Sequence, residues 1–110
     1  KPIAEFQVIQ HYLAEMYIRI ESLRTLVYTA AKMRDSNDPQ FPLYAQVAKV
    51  LGSRVAVETT RLAVQILGGF GYSTESHVEM LYRDAKVTEI YEGTNEIILN
   101  TIYKFLKRGL

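Results

Sequence analysis

The sequence predicts an all-α fold of the up-and-down four-helix-bundle type. Three observations predict it. Apolar residues recur in steps of three and four through long stretches of the 110-residue chain. These stretches are interrupted by runs rich in turn-forming residues and glycine. No run alternates apolar and polar residues as a strand would, and no repeat or low-complexity segment occurs. The length suits one domain over residues 1–110.

The spacing predicts a first helix over residues 3–34. Phe6, Ile9, Leu13, Met16, Ile20, Leu23, Val27 and Ala30 alternate in steps of three and four, a seam for shallow-angle packing. Glu5, Gln10, Glu15, Arg19 and Lys32 lie on the opposite face. Asp35-Ser36-Asn37-Asp38-Pro39 then makes a turn, because each of these residues favours turns or caps.

A second helix is predicted over residues 42–67, with Pro42 in the first turn, where its missing N–H costs nothing. Its apolar residues cover more than one face, and Ala45, Ala48, Gly52, Ala56 and Ala63 allow close helix approach. It is therefore the helix expected to be most buried. Gly68-Gly69 is expected to end it. A short third helix, capped by Ser73 or Thr74, is predicted over residues 75–82, with residues 86–93 irregular. A last helix starts near Thr94 or Asn95. Ile97, Ile98, Ile102, Phe105 and Leu106 form its apolar stripe, and Lys104, Lys107 and Arg108 suit its C-terminal dipole.

Composition narrows the function. Hydrophobic content of 48% and charged content of 23% are ordinary for a globular chain. A net charge of +1 argues against nucleic-acid binding by broad phosphate neutralisation. With no cysteine, neither a disulfide nor a thiolate metal site nor a cysteine nucleophile is possible. No apolar run reaches the ~20 residues of a membrane span, and no signal-peptide pattern is present. His11 and His77 stand in separate segments without a third ligand, so no metal site is expected. Tyr12, Tyr17, Tyr28, Tyr44 and Tyr103 suit packing and interfaces.

The chemistry is concentrated in residues 65–96. Glu92 sits directly before Gly93 in a bend between two apolar helices. A carboxylate held in a dry pocket there would have a raised pKa and act as a base near neutral pH. On spacing alone, a solvated loop glutamate is the ordinary alternative. Three blocks lie in this stretch: Gln65-Ile66-Leu67-Gly68-Gly69-Phe70-Gly71-Tyr72, Arg83-Asp84-Ala85-Lys86 and Tyr91-Glu92-Gly93-Thr94. Together with Lys1-Pro2-Ile3-Ala4-Glu5-Phe6-Gln7, they resemble the C-terminal helical domain of the flavin-dependent acyl-CoA dehydrogenases across essentially the whole chain.

The resemblance implies a function. Glu92 would be the catalytic base, removing a proton from Cα of an acyl-CoA thioester while FAD takes a hydride from Cβ. Gln65, Gly68 and Gly69 would touch the FAD of a neighbouring subunit, and the same glycines also read as an ordinary helix C-cap. Thr94 and Glu96 would make a second cofactor contact at a helix N-terminus. A glutamate repels phosphate, so Glu96 suits a ribose hydroxyl or a backbone N–H. Tyr91 and Gly93 would line the acyl end of the substrate pocket, and Arg83-Asp84 would be structural.

By the same resemblance the enzyme acts in fatty acid β-oxidation as a homodimer or homotetramer. Its electron acceptor would be an electron-transfer flavoprotein, and it would reside in the cytoplasm or the mitochondrial matrix. Two rival readings are a stand-alone helical interaction module without catalysis and an acyl-CoA oxidase-like flavoenzyme. The chain starts at Lys1, in mid-pattern. It is therefore expected to be part of a longer protein, with the first bundle helix and its Arg and Phe flavin contacts missing. Alone, it is expected to self-associate, to hold no FAD tightly and to be inactive.

Overall fold

A computed structural model describes residues 1–109. Four α-helices account for most of them: α1 (Gln7–Asp35), α2 (Phe41–Tyr72), α3 (Val78–Val87) and α4 (Asn95–Lys107). Short 3-10 turns at Ile3–Glu5 and Thr74–Ser76 precede α1 and α3. The described residues contain no strand, in agreement with the all-α expectation.

α1 starts later than its periodicity predicts. Phe6 is extended (φ −79°, ψ 132°), and this separates the 3-10 turn from the helix. The Gln10 side-chain amide donates to the Ala4 carbonyl at 3.0 Å and holds that turn in place. At the other end, Asn37 takes φ 57°. The Asp38 N–H reaches back to the Met33 carbonyl, and the Asn37 N–H to that of Arg34. This is a Schellman stop with asparagine in the left-handed position. Asp38 Oδ1 accepts from the Gln40 N–H at 2.8 Å and starts the next turn.

α2 runs antiparallel to α1 and packs against each of the other three helices, which do not pack on one another. It carries Leu43, Val50, Val55 and Leu62 of the core, which Ala30, Ala85 and Ile98 complete from α1, α3 and α4. It is the most buried helix, as its many-sided apolar pattern predicts. α3 lies along its C-terminal half, with Glu79, Tyr82 and Arg83 beside Val64 and Tyr72. α4 lies along its N-terminal half, with Ile102 and Leu106 beside Leu43, Tyr44 and Val47. Both run antiparallel to α2, so the segment joining them crosses the middle of that helix.

The regular run of α2 ends at Leu67, as Gly68-Gly69 predicts. Gly68 leaves helical geometry there (φ 61°, ψ −140°), a region open essentially to glycine alone. The chain then makes one further helical turn to Tyr72. That turn folds tightly against the helix it left. A β-carbon on Gly71 would lie 2.6 Å from the Val64 carbonyl oxygen and 2.9 Å from Leu67 Cβ.

The third helix is also displaced. Ser73 Oγ accepts from the Glu75 N–H at 3.0 Å, as a cap should, but what it caps is the 3-10 turn. His77 then reverses φ to 63°, and α3 follows through Val87. The Arg83-Asp84-Ala85-Lys86 block is therefore helical throughout. α4 begins as expected, with Thr94 as its cap.

The seam of α1 is half covered. Leu23 packs over Gly52, 3.5 Å from where a β-carbon would sit. Ile9, Met16, Leu23 and Ala30 are shielded, and so are Tyr12, Arg19, Leu26 and Met33. Phe6, Leu13, Ile20 and Val27 remain 39–46% exposed. α1 has two adjacent apolar stripes, and one neighbour covers only one of them. The molecule is correspondingly extended, 54 Å long with a radius of gyration of 16.8 Å, against ~13 Å for a compact chain of this length. No helix among the described residues is long and apolar enough to cross a membrane.

Candidate functional site

The segment between α3 and α4 is bound at both ends. The Ile90 and Tyr91 N–H groups both donate to the Val87 carbonyl, at 2.9 and 3.0 Å. The Asn95 N–H donates to the Glu89 carbonyl at 3.0 Å and closes the loop. Thr94 Oγ1 accepts from the Ile97 N–H at 3.3 Å, capping α4. Within the loop, Glu92 and Gly93 take positive φ values of 57° and 88°. For a glutamate this conformation costs about 1–3 kcal/mol and persists only where the surroundings impose it.

Those surroundings come from α2. The Lys49 ammonium donates to the Gly93 carbonyl at 2.9 Å and to Asn95 Oδ1 at 2.8 Å. Asn95 Nδ2 donates to Ser53 Oγ at 2.9 Å, and the Ser53 hydroxyl donates to the Val50 carbonyl, also at 2.9 Å. Asn95 and Ser53 are buried. Every polar atom of the Asn95 side chain is therefore paired, as burial demands. Sequence reasoning singled out Asn95 only as a possible cap and missed Lys49 and Ser53. The available signal was a lysine within the apolar run Val47-Ala48-Lys49-Val50-Leu51, with a serine one helical turn later on the same face.

Glu92 itself is exposed, as are Tyr91, Gly93 and Glu96. Its carboxylate has no ion-pair or hydrogen-bond partner among the described residues. The walls of a dry pocket around it do not come from these residues. Nearby in sequence, Lys86 pairs with Glu89 at 2.8 Å, while the Lys49 ammonium bonds only neutral oxygens. The hydrogen bond that Lys86 donates to Glu89, with the carboxylate's negative charge, holds the Lys86 ammonium above the usual lysine range.

The other predicted block lies elsewhere. Gln65 is exposed on α2, and so are Gly68 and Gly69, with open space where their β-carbons would be. Gln65 stands sixteen residues beyond Lys49 on α2, about 24 Å along the helix axis. The chain brings Glu92, Gly93, Thr94 and Glu96 together, with Tyr91 beside them. It holds Gln65, Gly68 and Gly69 on a separate surface.

Residues 1–107 match the family described as acyl-CoA dehydrogenase, C-terminal domain. The chain belongs to this family. The acyl-CoA dehydrogenase domain is 50% identical over 99 residues to the short-chain-specific acyl-CoA dehydrogenase of Megasphaera elsdenii, covering 90% of this chain and 26% of that protein. It is 48% identical over 96 residues to the human mitochondrial short-chain-specific enzyme, covering 87% of this chain and 23% of that one. The chain thus spans about a quarter of the length of these relatives. Its fold matches butyryl-CoA dehydrogenase from M. elsdenii with a TM-score of 0.94 at 47% identity, over 98% of this chain and 28% of that one. A structure described as the FAD complex of PigA matches with a TM-score of 0.92 at 26% identity, over 97% of this chain and 28% of that one. In the acyl-CoA dehydrogenase domain, the exposed Arg83 pairs at 2.9 Å with the largely shielded Glu79 on α3, and Ala85 within the same block is buried.

Proposed function

We propose that this domain supplies the proton-abstracting base of a flavin-dependent acyl-CoA dehydrogenase, and that Glu92 is that base. The observation that carries this reading is the bend itself. A carboxylate without an internal partner stands on a backbone held left-handed from below by Lys49. Such a group is free to face a substrate, and the bend sets the direction of its Cα–Cβ bond. Glu92 takes the Cα proton of an acyl-CoA thioester, the Cα–H electron pair forms the new double bond, and the Cβ hydride departs, leaving trans-2-enoyl-CoA. Bound FAD supplies the acceptor for that hydride. The relatives named above are short-chain specific, so a short acyl chain is the first substrate to test.

The donor set suits FAD in two places. Gly68 and Gly69 leave bare backbone at a helix end, next to the Gln65 amide, where a cofactor can approach closely. The α4 N-terminus offers N–H groups near Thr94 and Glu96, and Glu96 suits a hydroxyl rather than a phosphate. The family resemblance assigns these surfaces to contacts with two FAD molecules, one of them held by a neighbouring subunit, and their ~24 Å separation along α2 accommodates that. The working enzyme is accordingly a homodimer or homotetramer, with an electron-transfer flavoprotein as its acceptor. That acceptor is supported by the likeness, at 41% identity and a TM-score of 0.94, to a structure described as an electron transferring flavoprotein of Acidaminococcus fermentans.

The test is Glu92→Gln in the full-length protein. The amide keeps the shape and removes the proton acceptor. Acyl-CoA and FAD should still bind, while turnover falls by about 10³-fold or more. Retention of most activity removes Glu92 as the base.

A further inference from the structure

We propose that Lys49, with Asn95 and Ser53 behind it, is a positioning device that sets the direction of the Glu92 carboxylate. The inference rests on the reading of Glu92 as base and adds residues that reading does not contain. Lys49 is the only side chain among the described residues that hydrogen-bonds both the backbone of the bend and the first residue of α4. One of its hydrogen bonds goes to the carbonyl of Gly93, the residue directly after Glu92. The other goes to Asn95, the first residue of α4.

The orientation of Lys49 is itself imposed. Asn95 Nδ2 is taken by Ser53, so Oδ1 must face the ammonium, and the Ser53 hydroxyl is oriented by the Val50 carbonyl. Ser53 and Lys49 stand one turn apart on α2, the most buried helix of the chain. The chain of contacts therefore runs from a rigid helix through two buried polar groups to the backbone beside the base. Without it, the Asn95 N–H still closes the loop on the Glu89 carbonyl, but no described side chain bonds the backbone beside Glu92, and the bend can relax toward ordinary geometry. A carboxylate displaced by about 1 Å loses on the order of 10²-fold in rate without losing substrate affinity.

The experiment uses the full-length, FAD-loaded enzyme with an acyl-CoA substrate and includes Glu92→Gln as a reference. Lys49→Met keeps the length of the side chain and removes the donor. The expected result is a fall of about 10²-fold in kcat per bound flavin, with KM and flavin content little changed. Lys49→Arg should recover part of the loss. Asn95→Leu, which removes the acceptor, should lower kcat per flavin in the same way, and Ser53→Ala should do so to a smaller extent. Should Lys49→Met not fold, the last two variants carry the same test. If Lys49→Met, Asn95→Leu and Ser53→Ala lower only melting temperature or flavin content, with kcat per flavin unchanged, the positioning role is overturned. That result would leave Glu92 as the base, provided Glu92→Gln is inactive. An active Glu92→Gln would overturn the underlying reading instead.

Discussion

Gly71 stands so close to Val64 that a β-carbon would lie 2.6 Å from the Val64 carbonyl oxygen. The helix breaks at Gly68, and this contact seats the short helical turn that follows against the part before the break. The chain leaves the helix at Gly68 and returns at once, and Gly71 lets the returning turn press on the helix it left. Gly71→Ala should therefore unseat residues 69–72 and cost about 1–3 kcal/mol, the usual range for overpacking. Thermal melting would show it. A variant as stable as the parent would mean that Val64 yields without strain.

Gln65 lies on the surface that this turn adjoins. In the full-length protein, Gln65→Ala should weaken FAD retention and loosen subunit association together, because the proposed contact crosses an interface. Flavin absorbance and sedimentation would be read on the same sample. Unchanged flavin content and unchanged mass would remove the assignment.

The chain alone should self-associate. Its accessible surface is 7729 Å², against roughly 6200 Å² for a compact monomer of its mass. The stripe of Phe6, Leu13, Ile20 and Val27 is apolar and uncovered. A two-fold dimer pairing the long helices is the simplest way to cover it. Light scattering should report a dimer with no tightly bound flavin and no dehydrogenase activity. Leu13→Lys with Ile20→Lys should shift it toward monomer. A monomeric parent chain carrying stoichiometric FAD would contradict both halves of this expectation.

A small pH dependence is built into α2. The Arg61 hydrogen bond and its charge hold the Glu58 carboxyl below its usual range, against the opposing effect of burial. A carboxyl depressed on folding adds stability above its unfolded pKa, and that stability is lost as pH falls through the lower folded value. The window therefore lies below the ordinary glutamate pKa of 4.5. Both side chains are substantially solvent-exposed, so the pair contributes only about 0.2–0.5 kcal/mol. Glu58→Gln should be slightly less stable than the parent at pH 6, and the difference should close toward pH 3. A difference independent of pH would assign the effect to packing.

Much of this architecture was legible in the sequence because its signals are local. The stop at Asn37, the start at Pro42 and the Thr94 cap each act within a few residues, and their residue types report them directly. The bend at Glu92 was marked by the glycine beside it. Other features depended on distant partners. Periodicity identified α1 as a helix but could not choose between its two adjacent apolar stripes, since either one satisfies the same spacing. The turn beyond Gly68 forms because Gly71 meets Val64, a contact that residue types alone do not announce. The tie beneath Glu92 joins Lys49 to Gly93 across 44 positions of the chain. The sequence by itself determined four helices and a carboxylate in a bend. Only the packing of α3 and α4 along α2 decided which lysine holds that bend, because hydrogen-bond geometry over such a separation exists only once the helices have met.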